Sequence, residues 1–161
     1  MSIPDHIAGL VEVVLNNLEN QHDWTELKTH SKPELARTLI SGYPPRRLYV
    51  HPDEQIEIIK AEKNRAEPIP QPPEYEWVLP MHLEEKWTVG RFAAVFDSIE
   101  AIPPLTGVAA DGKPAADQEL EQWQRWRGAA RGKRILLATV QDDSTVVYYL
   151  MHDGIVKPRQ N

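Results

Sequence analysis

The sequence predicts a fold that mixes helices and strands, an α/β chain of the α+β kind, ending in a β-hairpin. Three observations carry this. Near the N-terminus, Ile7, Leu10, Val11, Val14, Leu15 and Leu18 recur at helical spacing and form one apolar stripe. Ile135 to Val140 is an apolar, β-branched run, followed by the turn chemistry of Gln141-Asp142-Asp143-Ser144 and a second strand-like run, Thr145 to Met151, centred on Tyr148 and Tyr149. Between these ends, short strand-like runs and segments with helix-start signals are punctuated by proline.

Taken in order, residues 4 to 21 form the clearest helix, with Ser2, Pro4 and Asp5 as start signals. Trp24 to Lys28 reads as a short strand with Trp24 and Leu27 inward, flanked by His22 and His30 in loops. Glu34 to Ser41 stays open between helix and strand, because Leu35, Leu39 and Ile40 suit either period. Gly42 to Pro45 turns the chain and Arg47 to Val50 is a further short strand. Pro52-Asp53-Glu54 opens a helix through Lys63 with Ile56 and Ile59 on one side; proline and acids at its start and Lys60 and Lys63 near its end match the helix dipole. Residues 66–74 are proline-rich and extended, and aromatics resume from Tyr75 to Trp87. Thr88 is an N-cap for a helix to Ile99 with Phe92, Val95, Phe96 and Ile99 inward. Residues 102–114 are a second irregular stretch. Asp117 then caps a helix to about Arg131, with Leu120, Trp123, Trp126 and Ala130 as its buried face and Glu121 set to pair with Arg125.

Composition narrows the function classes. A chain of 161 residues suits one domain with a real core. The absence of cysteine excludes disulfides and thiolate metal sites and fits a reducing compartment, the nucleus or the cytosol. No apolar run approaches the roughly 18 residues of a membrane span, and Met1 to Leu10 carries Asp5 without a basic cluster, so the expectation is a soluble intracellular protein with no leader. A net charge of −6 argues against a free-standing nucleic-acid binder. The one basic stretch holds Arg125, Arg127, Arg131, Lys133 and Arg134; it suits a helix C-terminus through the macrodipole, with RNA contact at Arg127, Arg131 and Lys133 as the alternative.

Chemical motifs are sparse. There is no glycine-rich phosphate loop, and Gly90 stands alone near a helix start. The histidines His6, His22, His30, His51, His82 and His152 show no i, i+4 pair; His82 and Glu85 share a local spacing that needs further ligands, so no metal and no cofactor is expected. Ser41 and Ser144 lack a nucleophile-elbow context.

The wording ILLATV, then QDDS, then TVVYYLMHDG resembles the C-terminus of the tRNA-splicing endonuclease family, most closely its small structural subunit, the one conventionally numbered fifteen, in a fungal-type form. The resemblance covers the first helix with Trp24-Thr25-Glu26-Leu27 and everything from about Leu120 to Asn161; residues 52–117 read as an insertion between these blocks. It implies one tRNA-intron endonuclease-like domain over 1–161, a small mixed sheet flanked by helices like that family's C-terminal domain, and a strand at Glu34 to Ser41.

For function, the resemblance implies a non-catalytic structural subunit of the nuclear tRNA-splicing endonuclease, acting on pre-tRNA indirectly; a cytoplasmic place, including the outer mitochondrial surface, is the alternative. The terminal strand, Thr145, Val146, Val147, Tyr148, Tyr149, Leu150 and Met151, would pair edge to edge with a catalytic subunit, Val146 and Tyr148 adding apolar and aromatic area. Asp142 and Asp143 would dock in a basic groove on the opposite pair of subunits of a heterotetramer, although turn chemistry alone explains one of them. Catalytic members of the family use a tyrosine, a histidine and a lysine for attack of a ribose 2′-hydroxyl on its own phosphate. Lys133 falls near the lysine, but nothing matches the histidine and tyrosine segment, so no catalytic residue is assigned. Two other readings stand: an active RNA endonuclease using Lys133 with Tyr43 or His51, and an independent homodimeric interaction module.

Overall fold

The computed structural model describes residues 5–63, 65–104 and 131–153. Helix α1, Asp5–Gln21, buries Ile7, Leu10, Val11, Val14 and Leu18, the stripe its periodicity requires. Strands β1 (Thr25–His30) and β2 (Leu39–Tyr43) follow, then helix α2 (Pro52–Glu62), strand β3 (Glu76–His82), helix α3 (Val89–Asp97) and the hairpin β4 (Arg134–Val140) and β5 (Val146–His152). The strands form one sheet in the order β1-β2-β3-β4-β5. Among the described residues only β3 and β4 run parallel, which obliges the chain between them to cross back and leaves room for α3 in the connection.

Side-chain alternation divides the sheet between two cores. Val78 and Ile40, with Ala138 and Val140 of β4, meet α1 and Trp24 on one face. Leu39, Trp77, Leu79 and Ile135 meet Val95, Phe96 and Ile99 on the other. Removing the Leu18 side chain, which is 1% exposed, is expected to cost about 2–5 kcal/mol. Gly42 is where β2 approaches Trp24 and Leu27: a Cβ there would lie 2.6 Å from Leu27 Cδ2 and 2.9 Å from Trp24 Cε3.

A buried lattice of charge closes the end of the sheet where β3 and β4 begin. Glu76 accepts from Arg134 Nε at 2.9 Å and from Arg134 Nη2, and Arg131 Nη1 lies 3.5 Å away. Glu74 stands 3.5 Å from Arg131, and Arg47 joins Glu54 at 2.8 Å. With Arg47 also 3.7 Å from Glu74, these pairs fasten the loop before α2, the proline-rich segment and two strands to one another. Burial opposes the charge on Arg131 and lowers its pKa, whereas at Arg134 the same burial is overridden by the Glu76 hydrogen bond and the value rises.

Several sequence expectations are corrected here. Arg47 to Val50 is not a strand; Arg47 turns inward to Glu54, and the Tyr49 ring packs 4.5 Å from that of His152. In α2 the buried positions are Glu54 and Ile58, with Ile56 and Ile59 48% and 50% exposed, because the Arg47 ion pair draws the Glu54 face inward. In Glu34 to Ser41 the strand begins only at Leu39. Strand β3 is the middle strand of the sheet. Helix α3 is capped by Thr88, whose hydroxyl accepts the Arg91 N–H at 3.1 Å. The helix expected over Asp117 to Arg131 lies outside the described residues apart from Arg131.

Candidate functional site

Strand β5 is one end of the sheet, so among the described residues its outer edge carries no ladder partner. Its inner edge is fully paired to β4, from Val140↔Val146 to Arg134↔His152. The loop between them is tight: Gln141 N–H donates to Thr145 O at 2.8 Å and Ser144 N–H to Gln141 O at 2.9 Å. Ser144 takes φ 67°, the left-handed conformation that lets the chain reverse.

The two loop acids do different things. Asp143 Oδ1 accepts the Thr145 N–H at 3.1 Å, and that hydrogen bonding lowers its pKa. It is a turn residue first. Asp142, with a side chain 79% exposed, has Oδ1 3.1 Å from His82 Nε2 at the end of β3.

The strand's side chains split between the faces. Val146 and Tyr148 pack against the α1 core, and Tyr148 Oη donates to Asn17 Oδ1 at 2.7 Å while its ring meets His22 edge-on. Burial raises the Tyr148 pKa. Val146 and Tyr148, read from the sequence as interface, are partly buried and also pack within the fold. Alternation sends Val147 and Tyr149 to the opposite face, where Tyr149 is 60% exposed. Backbone edge and Tyr149 are what this strand presents outward.

The residues proposed for RNA contact or catalysis do not converge. Arg131 is buried and donates to the carbonyls of Tyr75 at 2.7 Å and Ala101 at 3.0 Å; Arg127 lies outside the described residues. Lys133 Nζ donates to Phe96 O at 3.0 Å, on the α3 side of the sheet. His51 caps α2, its Nδ1 accepting the Asp53 N–H at 3.0 Å, and packs on Tyr49, which in turn meets His152. His152 stands opposite Arg134, whose side chain alternation places on the α1 side, away from Lys133. Tyr43 packs on Tyr75 with ring centroids 4.9 Å apart.

One group among the described residues offers three ligand atoms within 4.8 Å of one another: His82, Glu84 and Asp142. Its chemistry fits a cation poorly. The His82 Nδ1 lone pair accepts the Glu84 N–H at 3.1 Å, which puts the proton of a neutral ring on Nε2, facing Asp142. Neither ring nitrogen then offers an electron pair. The sequence reading missed the His82 contact to Asp142, which the parallel β3–β4 register creates; Glu85, which it set beside His82 as a possible ligand, instead accepts the His82 backbone N–H at 2.9 Å and pairs with Arg37 at 2.7 Å.

The geometry describes an α+β chain with an aromatic hairpin edge and an acidic loop turned outward. The chain belongs to the Sen15 protein family, whose model matches residues 13–110 and 114–161. It is similar to the probable tRNA-splicing endonuclease subunit tsp-1 of Neurospora crassa, 61% identical over 161 residues, covering all of this chain and 70% of the relative. It is also 25% identical over 155 residues to the tRNA-splicing endonuclease subunit SEN15 of Eremothecium gossypii, covering 96% of this chain and 93% of that one. A probable subunit sen15 from Schizosaccharomyces pombe is 28% identical over 158 residues, covering 95% and 83%. The family match runs through β3 without a break, in keeping with that strand's central place.

Proposed function

We propose that this chain is a structural, non-catalytic subunit of a tRNA-splicing endonuclease, supporting intron removal from pre-tRNA through assembly. The observation that carries the reading is the outward-facing edge of β5 in a family whose relatives are named as subunits of that enzyme. A strand at a sheet's end offers backbone donors and acceptors to a second strand, and a catalytic subunit is the partner proposed here. Asp142 and its loop then meet a basic surface on another subunit, fixing orientation more than affinity. The whole chain acts as one tRNA-intron endonuclease-like domain in the nucleus.

Support for the absence of catalysis comes from Lys133, held on the Phe96 carbonyl, with His51 on the other face and engaged in a helix cap. The test is incubation of the purified chain with intron-containing pre-tRNA. No cleavage is expected. Cleavage at a splice site that disappears in Lys133→Ala would overturn the reading in favour of an active nuclease.

A further inference from the structure

In the parallel pair β3–β4, His82 stands opposite Val140, and pairing continues one step beyond the strands as the Leu83 N–H donates to Val140 O at 2.9 Å. This brings the imidazole up to the hairpin loop. The ring is defined from two sides: Nδ1 by the Glu84 N–H at 3.1 Å, and Nε2 by Asp142 Oδ1, also at 3.1 Å. The backbone contact selects the tautomer, and the Nε2 side of the ring is left against one named oxygen. Asp142 is exposed and outside its own turn's bonding pattern, whereas Asp143 is absorbed by the turn.

We propose that His82 is a positioning residue for assembly: it holds the Asp142 carboxylate in the pose in which a guanidinium or ammonium group of a partner subunit receives it. The proposal rests on the reading of the acidic loop as a docking element. A carboxylate already oriented loses less freedom on meeting a cation, so the imidazole acts on affinity without touching the partner. One oxygen of Asp142 faces His82, and the partner's cation takes the other.

The experiment uses the full chain co-expressed with the other subunits of the enzyme and measures the dissociation constant between the two subunit pairs at low and moderate salt. Asp142→Asn is expected to weaken that association about tenfold, most at low salt. His82→Ala is expected to weaken it about threefold to tenfold, and His82→Gln, which keeps a donor, to recover most of the loss. In the Asp142→Asn background, His82→Ala is expected to add nothing. Pairing through β5 stays intact throughout. His82→Ala at the unmodified value, with Asp142→Asn weakened, overturns the positioning role while the docking reading survives. Both variants at the unmodified value overturn docking and positioning together. Titration with zinc chloride separates the remaining case: binding that is lost in His82→Ala would assign His82, Glu84 and Asp142 to a cation and overturn the proposal.

Discussion

Replacing Glu76 with Gln tests whether the charge lattice at the base of β3 and β4 holds the fold. The Glu76 side chain is 1% exposed and faces Arg134 and Arg131, whose side chains are 4% and 2% exposed. Removing its charge leaves two buried guanidinium groups against a neutral amide, and breaking a buried ion pair in this way costs about 3–5 kcal/mol. Glu74 stays within 3.5 Å of Arg131 and 3.9 Å of Arg134, which places the loss at the lower end, about 3 kcal/mol. For a chain of this size that lowers Tm by roughly 6–12 °C. Urea unfolding followed by circular dichroism reads the change directly. The pair Glu76→Met with Arg134→Met is expected to recover much of it, because replacing a buried pair by apolar side chains is close to neutral. A loss below about 1 kcal/mol in the single variant would refute the reasoning, since it would mean that these charges are solvated or mutually redundant.

Stability falls with acid in two stages: burial, with Lys32 and Lys28 at His30 and with Arg134 and His51 at His152, lowers both histidines below 6.5, so the unfolded chain takes up more protons and stability declines as pH drops below about 6.5. Glu85 follows; burial alone would raise its pKa, but the Arg37 fork and the His82 N–H hold it at about 2 against 4.5, so its contribution is full above about 4.5 and lost as pH falls towards 2. Arg37→Gln is expected to move that acid limb upward in a pH series of urea midpoints. Gly42→Ala is expected to destabilise by about 1–3 kcal/mol through overpacking against Trp24 and Leu27, and a companion Leu27→Ala to recover part of it in the same assay. Val146→Asp is expected to destabilise the chain in urea unfolding by placing a charge against the α1 core, whereas Tyr149→Asp keeps the stability and weakens co-elution with a catalytic subunit.

The parts of the fold legible in the sequence are those whose information is local. The α1 stripe, the Thr88 cap and the hairpin announce themselves through spacing, one hydroxyl and a turn, and each stands where its residues place it. Strand β3 was hidden by Pro80 and Glu76, residue types that argue against a central strand. The structure shows why both are tolerated. The β2–β3 ladder ends at Ile40↔Val78, so at Pro80 no strand neighbour asks for an N–H on that side, and Arg37 takes the Pro80 carbonyl at 3.3 Å. Glu76 is matched by arginines far along the chain. In helix α2 a charge again sets the buried face, since the Arg47–Glu54 pair outweighs the apolar character of Ile56 and Ile59. At the candidate site, alternation along β5 was legible but not its phase: nothing in the sequence says that Tyr148 rather than Tyr149 meets Asn17. The link from His82 to Asp142 depends on the β3–β4 register and has no sequence signal.

The outer edge of β5 is the proposed meeting point with a partner strand, and the other end of the same sheet, β1, provides an internal control. Amide hydrogen exchange of this chain, alone and after co-purification with a catalytic subunit, tests that edge directly. Slowed exchange across Val146–His152 with little change across Thr25–His30 is the expected result. Unchanged exchange in β5 within a stable complex, or protection concentrated in β1, would contradict it.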